Sequence, residues 1–336
     1  MRPSEKETTI ATFSVACSAF TYGSVPIFLR FFINYLDAWT VNAVRYTVAA
    51  MLLLPFVLIL MRRSEEEKRA AARLSAPKSG AGPQSIWRAA LVPSVINIIG
   101  QVLWALSPYY KVGAATMGFT TKSSFLFTVL FGFLLIPKER LLGKKPLFFV
   151  GAAVCLAGLV IMFLQKMLTE GGSSLTGMGI LVATAVFWGA YAVSVRLYLG
   201  GYPLRLSFGV VSLYTAGALV ALMLIFGDYS AMGELGDETV KIWLLLAASA
   251  VIGMVFSHLL YYRGIHGLGP VISNGILMAT PFLTYLGAWI FLDEKMTWIQ
   301  MLGGFIIVAG GVILVRSRAR IERRKARPSE FVAPDR

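Results

Sequence analysis

The sequence is poor in charged residues, and this shortage decides its broad class. Only 14% of the 336 residues are charged, whereas 57% are hydrophobic, and soluble domains average about 25% charged residues. A chain of this composition is typical of proteins embedded in a bilayer. Polar and apolar residues do not alternate within its apolar runs, which argues against a membrane β-barrel.

Residue types that commonly carry enzyme chemistry are also scarce. The chain has two cysteines and two histidines, and Cys17 and Cys155 fall inside apolar runs, where buried structural thiols are expected. The sequence contains no Asp-rich motif and no histidine cluster. We therefore predict no catalytic residues, no metal and no cofactor. An intramembrane lipid-modifying enzyme, which would need such a constellation, is the weaker alternative.

Ten apolar runs, most about 18–24 residues long, have the length that a helix needs to cross the hydrocarbon core. The predicted spans are residues 10–32, 38–61, 88–110, 114–136, 147–165, 177–199, 204–226, 241–263, 269–292 and 298–315. The predicted fold class is an all-α polytopic membrane protein with ten transmembrane helices. The connection 62–87 is charged and then rich in Ser, Gly and Pro, which favours a flexible loop.

The net charge of +14 is explained by topology rather than by nucleic-acid binding. In the ten-span arrangement, both chain ends, the loop 62–87 and the loop after span 4 share one face and carry most of the Lys and Arg residues. The positive-inside rule assigns this face to the cytoplasm, with both termini there and the protein in the cytoplasmic (inner) membrane. The expected partners are the lipid bilayer and a small-molecule substrate, not nucleic acid, and a homodimer is compatible but not required.

The sequence contains an internal repeat, with five predicted spans in each half. Each half has an aromatic-glycine pair in its first span, an arginine seven residues after that glycine, a glutamate closing its fourth span and two spaced glycines in its fifth. These markers are Tyr22-Gly23, Arg30, Glu139, Gly151 and Gly158 in the first half, and Trp188-Gly189, Arg196, Glu294, Gly303 and Gly310 in the second. An odd number of spans inverts the second copy, as in secondary transporters, whose substrate site lies between the repeats. The predicted domains are the repeats 1–166 and 167–315 and a basic tail, 316–336.

Two basic residues lie deep within predicted spans. Arg45 and Lys122 are about 10–13 Å from the outer boundary at 1.5 Å rise per residue, close to the middle of a core about 30 Å thick. Every Asp and Glu lies in a loop or at a helix end. Three states are open for Lys122: a neutral amine, a charged amine solvated by water or bonded to carbonyls, or an amine whose counter-ion is the substrate. Arg45 is open between structural packing and substrate contact.

Other polar and aromatic side chains are predicted to face the same space. With the two cations, the predicted substrate-binding residues are Lys122, Arg45, Tyr22, Asn97, Gln101, Trp188, Tyr191, His258 and Asn274. The competing interpretation is structural, because Asn and Gln often join transmembrane helices by hydrogen bonds. His258 is open between a packing role and a proton carrier.

Two inter-half ion pairs are predicted from topology. Arg30 and Glu294 fall on the outer face, and Arg196 and Glu139 on the inner face. They are expected either to form outer and inner gating latches or to cap their own helix ends.

Taken together, the repeat markers, Arg45 and Pro281-Phe282 leading to Asp293-Glu294 resemble the EamA-like family of the drug/metabolite transporter superfamily. The resemblance covers about residues 10–315. In the first half, Tyr22 replaces the usual tryptophan, and Lys122-Ser123-Ser124-Phe125 replaces a segment that commonly contains proline.

The resemblance implies a secondary transporter, not an enzyme, which works by alternating access. Its substrate would be a small polar or amphiphilic metabolite, such as an amino acid-like compound or organic anion, and efflux is favoured. The alternative from related branches is an exchanger for anionic phosphorylated or nucleotide-linked sugars.

Overall fold

The computed structural model of the chain contains helices and no strand within the residues that it describes. Those residues are 5–74, 85–136, 146–170, 172–199, 202, 204–228, 230, 239–261, 263–264, 273 and 276–325. We number the main helices α1 (Glu5–Phe32), α2 (Ala38–Leu74), α3 (Ile86–Tyr110), α4 (Ala114–Leu135), α5 (Pro146–Glu170), α6 (Gly172–Tyr198), α7 (Leu204–Phe226), α8 (Thr239–Tyr261), α9 (Thr280–Leu292) and α10 (Trp298–Lys325).

These helices coincide with the predicted apolar spans. Within the described residues, seven helices are long and apolar enough to cross a membrane, those of α1 to α4 and α6 to α8. The apolar parts of α5, α9 and α10 are shorter: Pro146–Met162, Thr280–Leu292 and Trp298–Leu314. Apolar runs of this length fold as helices because the hydrocarbon offers the backbone no other hydrogen-bond partners. The chain is a multi-pass integral membrane protein.

Two helices continue beyond their apolar segments. We expected a flexible loop from residue 62 and a separate tail from residue 316, but α2 runs to Leu74 and α10 to Lys325. Both extensions are rich in Ala, Glu, Lys and Arg, which have high helix propensities. Residues 75–84 and 326–336 lie outside the described part of the chain.

Helices α5 and α10 pack closely and run antiparallel, as the paired glycines predicted. A Cβ atom at Gly158 would lie 2.7 Å from the carbonyl oxygen of Gly303, and one at Gly310 would lie 2.5 Å from the backbone nitrogen of Cys155. Gly151, at the start of α5, meets Leu314 near the end of the apolar part of α10. Glycine thus allows backbone contact along this pair, as small residues do in other membrane helix pairs.

Two further pairs of equivalent helices are also antiparallel. At one end of the α2/α7 pair, Trp39 contacts Phe226 with ring centroids 5.2 Å apart, and at the other end Val57 lies against Gly209. In the α4/α9 pair, Glu294, just after α9, meets Gly113 at the start of α4, and Thr284 meets Gly118 deeper in the bundle. Each half therefore packs against the other through its equivalent helix running in the opposite direction.

Several of the remaining contacts between helices come in matched pairs. Helix α3 packs on α6 as α8 packs on α1; α4 packs on α6 as α9 packs on α1; and α3 packs on α7 as α8 packs on α2. Exchanging each helix with the one five places along the chain maps these contacts onto each other, whereas the contacts of α1 with α4, of α2 with α3 and of α4 with α10 have no counterpart of similar extent among the described residues. The two halves interleave rather than sit side by side.

Two helices lose regular α geometry in their middles. Helix α4 tightens to a 3₁₀ turn at Thr121–Ser123, around Lys122, and α8 widens to a π segment at Val251–Phe256. Both distortions lie next to the same internal cavity, and π segments are frequently found at functional sites.

Candidate functional site

A cavity of about 410 Å³ lies between the two halves. Helices α1 to α4 and α6 to α9 contribute to its walls, together with Leu277 just before α9. Eight predicted binding residues line it: Tyr22, Arg45, Asn97, Gln101, Lys122, Trp188, Tyr191 and His258. Asn274 lies outside the described residues. The structure brings the eight together, and their binding role stays a prediction.

Lys122 lies on the cavity wall within the 3₁₀ turn of α4. Thr121 and Ser124 line the cavity beside it. The neighbouring Thr120 and Ser123 are fully buried, and the Ser123 hydroxyl donates to the Thr120 carbonyl at 2.7 Å. Of the four small polar residues that flank Lys122, the turn therefore directs two to the cavity and two into helix packing.

Arg45 is 3% exposed and lines the cavity from α2. Its Nε is buried and has no hydrogen-bond partner among the described residues. Its guanidinium lies against Gly253 in the π segment of α8, with Nη2 3.5 Å from where a Cβ would stand. This contact is with the middle of α8, and the two roles predicted for Arg45, structural packing and substrate contact, both stay predictions.

The two amides of α3 are used differently. The Asn97 amide donates to the Thr215 hydroxyl of α7 at 3.0 Å, and both residues are buried. This bond joins helices, which is the structural role that Asn often has in membranes. At Gln101 the helix link is made by the backbone carbonyl, which accepts from the Asn42 amide at 2.8 Å. The Gln101 side chain is half-buried on the cavity wall.

Trp188 is packed between the halves. A Cβ at Gly100 of α3 would lie 2.9 Å from its ring, and its ring centroid is 5.0 Å from that of Trp104. Its buried indole N–H has no hydrogen-bond partner among the described residues. A buried donor without a partner costs free energy, and this nitrogen lies against α3, 3.0 Å from where a Cβ of Gly100 would stand.

Aromatic side chains from three helices surround His258. The His258 ring stacks on Phe208 with centroids 4.1 Å apart and meets the Tyr22 ring edge-on at 5.2 Å. Its Nδ1 is 2.6 Å from the Met254 carbonyl oxygen, so Nδ1 carries a hydrogen and donates it. Tyr261 approaches Tyr22 at 6.4 Å. These contacts hold the ring by packing, and Tyr22, Phe208, His258 and Tyr261 all line the cavity.

Several lining residues were not predicted as binding residues. They include Tyr46, Trp104, Phe208, Leu277, Thr280 and Thr284. Tyr46 and Trp104 carried a signal, because one adjoins Arg45 and the other lies three residues after Gln101 on the same helix face. Phe208 and Leu277 are apolar residues in apolar spans, and nothing in the sequence pattern indicates that they face a cavity.

The predicted ion pair between Arg30 and Glu294 is formed. Arg30 Nε lies 3.0 Å from Glu294 Oε1, and Glu294 Oε2 accepts a 2.7 Å hydrogen bond from the Ala114 backbone N–H. The Glu294 side chain therefore joins α9 to both α1 and the start of α4, while its backbone N–H closes the end of α9 on the Ala288 carbonyl at 3.1 Å. Glu139, the predicted partner of Arg196, lies outside the described residues.

The described residues contain no group of three or more His, Cys, Asp or Glu side chains that could hold a metal ion. The cavity lining also contains no Asp or Glu among the described residues. What the site offers chemically is two cationic groups, several hydroxyls and amides, and aromatic faces.

Comparison with known proteins agrees with this architecture. The sequence model of the EamA-like transporter family matches residues 9–164 and 175–316, one range in each half. The chain is 33% identical over 141 residues to a Bacillus subtilis (strain 168) protein named "Uncharacterized transporter YcbK", and the match covers 40% of this chain and 42% of that protein.

A solved crystal structure resembles the chain with a TM-score of 0.57 and 17% identity, covering 90% of this chain and 96% of that one. At this identity the likeness concerns the fold alone. The family match spans nearly the whole of both halves and confirms the resemblance seen in the sequence. The chain belongs to the EamA-like transporter family, within the drug/metabolite transporter superfamily.

Proposed function

We propose that the protein is a secondary transporter that carries a small polar or amphiphilic metabolite across the cytoplasmic membrane by alternating access. The observation that carries this proposal is the cavity, which both halves line and which lies where equivalent helices meet. A site between repeats is where such transporters bind their substrates.

The proposed topology is ten spans in two inverted repeats, with both termini in the cytoplasm. Three equivalent helix pairs, α2/α7, α4/α9 and α5/α10, are antiparallel, as inversion requires. Helices α5 and α10 contribute no described residue to the cavity lining, which supports a scaffold role. Helices α1 to α4 and α6 to α9 would then rock around the site.

The Arg30–Glu294 pair is proposed as the outer latch of this cycle. It connects the first half to the second at the end that the charge distribution assigns to the outside. The inverted repeat would give Arg196 and Glu139 the same role at the inner end. Closing one latch while the other opens is the simplest way for one site to face each side in turn.

Export is the proposed direction, in line with the family. An exchanger for phosphorylated or nucleotide-linked sugars is a second candidate, which the two cavity cations favour. The cavity volume of about 410 Å³ is at the small end of the usual range of about 300–1,000 Å³ for ligand pockets. This supports a compact metabolite over a nucleotide-linked sugar.

Counterflow in proteoliposomes tests the transport proposal. Ligands found by thermal shift against purified protein would be loaded unlabelled inside vesicles, and the entry of labelled ligand would be followed. We expect transient accumulation with the native chain. Leu277→Trp, which fills the cavity, should abolish it, whereas Leu286→Trp, on the exposed face of α9, should not. Binding without counterflow under any gradient would contradict the proposal.

A further inference from the structure

The charges of the cavity are distributed unequally between the two halves. Arg45 and Lys122, on α2 and α4, both belong to the first half. The guanidinium of arginine stays protonated in proteins. No Asp or Glu among the described residues lines the cavity, and neither cation has an ion pair with a described residue. The site therefore presents positive charge without internal compensation.

The repeat shows that this charge is an addition of the first half. The backbone nitrogen of Thr128 meets Gly189 as that of Thr284 meets Gly23, so equivalent residues of α4 and α9 are 156 positions apart (284 − 128) and the counterpart of Lys122 is Met278. Met278 is buried against Gly311 of α10 and is not among the lining residues. The second half thus carries a buried thioether where the first half carries an amine on the cavity wall. The inverted fold does not require a cation at this place, because the second copy forms its wall without one.

The unpaired hydrogen-bonding atoms of the cavity wall are also suited to an anionic ligand. Among the lining residues, the buried side-chain atoms without a partner in the described structure are Arg45 Nε and Trp188 Nε1. Both atoms can donate and neither can accept. The atoms left without partners at this wall are therefore donors, which favours a ligand rich in acceptors, such as a carboxylate.

The second half supplies most of the rings of the cavity and neither of its two cations. Its lining rings are Trp188, Tyr191, Phe208, His258 and Tyr261, and Tyr22, Tyr46 and Trp104 of the first half adjoin them. Phe208 and His258 are already stacked, with centroids 4.1 Å apart. Such faces favour a planar or apolar ligand body through stacking and edge contacts.

From this arrangement we infer that the ligand is a small aromatic carboxylate without a free amine, its carboxylate bound by Lys122 and Arg45 and its ring placed against the aromatic wall of the second half. The inference rests on the proposed function and narrows its substrate class. A zwitterionic amino acid would bring an ammonium group for which the described lining holds no carboxylate, and desolvating that group without a partner is unfavourable.

Isothermal titration of the purified full-length protein with matched probes tests this inference. The probes are 3-phenylpropionate, phenylalanine, 3-phenyl-1-propanol and 3-cyclohexylpropionate, which share one skeleton and differ in the amine, the carboxylate or the planar ring. We expect 3-phenylpropionate to bind tightest, by about tenfold or more over each of the others, as expected for losing a charged hydrogen bond or a stacked ring. Equal or tighter binding of phenylalanine or the alcohol would overturn the inference.

Substitutions of Lys122 and Arg45 show whether these residues bind the carboxylate. Lys122→Gln and Arg45→Gln should each weaken 3-phenylpropionate binding about tenfold or more while leaving the weaker binding of 3-phenyl-1-propanol unchanged. Lys122→Arg should keep most of the affinity, which separates a lost charge from a lost fold. Arg88→Gln removes an exposed positive charge from α3 and should have no effect. An unchanged carboxylate preference in both Gln variants would overturn the assignment.

Binding is measured without vesicles, so the inference and the transport proposal fail separately. Selective binding of 3-phenylpropionate without counterflow would leave the ligand class standing and remove the transport cycle. Counterflow of amino acids or neutral solutes, with no preference for the carboxylate, would support the transport cycle and overturn the ligand class.

Discussion

At the scale of single residues, Arg45 illustrates a conflict between stability and binding. Its side chain is 3% exposed and its Nε has no hydrogen-bond partner in the described structure. Placing an arginine at the centre of a membrane helix costs about 2.5–3.5 kcal/mol on insertion scales. A residue kept at such a cost without a protein partner is best explained by something that the protein binds.

Replacing Arg45 by an apolar side chain should therefore stabilise the empty protein. We expect Arg45→Met to raise the free energy of unfolding by about 1–3 kcal/mol, as seen when other buried charges are replaced, and to abolish anion binding. Thermal unfolding of the ligand-free protein in detergent measures the first effect. Arg88→Met, at an exposed position, is the control, and a clear loss of stability in Arg45→Met would show that Arg45 is structural.

The Asn97–Thr215 bond is expected to act in the opposite way, as a structural link. Asn97→Ala and Thr215→Val should each destabilise the protein, with a coupling energy of about 0.6–2 kcal/mol in the double-mutant cycle. The 3.0 Å separation and the burial of both groups give the reason. Additive effects of the two changes would mean that the bond contributes nothing.

Arg45 and Asn97 show which properties of a side chain can be predicted from the sequence and which cannot. Depth within a span and the lack of nearby carboxylates identified Arg45 and Lys122, because charge in hydrocarbon is conspicuous in any sequence. Asn97 was placed on the correct wall, but its partner Thr215 is 118 positions away and could not be inferred. Apolar lining residues such as Phe208 differ from lipid-facing ones only in their surroundings, which the sequence does not display.

At the scale of helices, the α5/α10 pair depends on backbone contact. Gly158→Leu should destabilise the pair by about 1–3 kcal/mol or more, the usual cost of overpacking, because a Cβ there would lie 2.7 Å from backbone atoms of both Gly303 and Ile307. Gly179→Ala is the matched control, since nothing lies within 4 Å of its Cβ position. Thermal unfolding compares them, and equal stability of the two variants would refute close packing.

The latch can be tested against a neighbouring ion pair. Glu294→Gln should raise the reactivity of a cavity cysteine, introduced as Ser124→Cys, toward an impermeant maleimide added outside. Its pair with Arg30 is 18–32% exposed, whereas the adjacent Asp293–Lys295 pair is 73–85% exposed, and exposed pairs contribute little. Asp293→Asn should therefore leave the reactivity of the cavity cysteine unchanged. The latch proposal would be contradicted if both substitutions changed the labelling rate equally, or if neither changed it.

Helix positions were predictable, but their irregularities were not. Apolar length placed most of the spans well, because the bilayer imposes that length. The exception is α9, whose described helix begins at Thr280, eleven residues after the predicted start at 269. The 3₁₀ turn at Thr121–Ser123 and the π segment at Val251–Phe256 depend on contacts with other helices. The helical extension of α2 to Leu74 was wrongly taken for loop, since its charges outweighed its high helix propensity in our interpretation.

At the scale of the whole molecule, the two halves are built on one plan and differ in the chemistry of one cavity. Matched contacts between equivalent helices describe the shared plan. The cations of the first half and the aromatic wall of the second describe the difference. The duplicated markers, which predicted the repeat, therefore say little about the ligand, and the unmatched residues say most.

In the proposed transport cycle, one cavity opens to each side of the membrane in turn. This cycle is tested by labelling of Ser124→Cys, in a Cys17→Ser, Cys155→Ala background, with an impermeant maleimide added to either side of oriented vesicles. Alternating access predicts labelling from both sides, slowed by bound ligand, and labelling from the cytoplasmic side alone once Arg30→Cys and Glu294→Cys are cross-linked. Labelling from one side only, with no cross-link present, would contradict it.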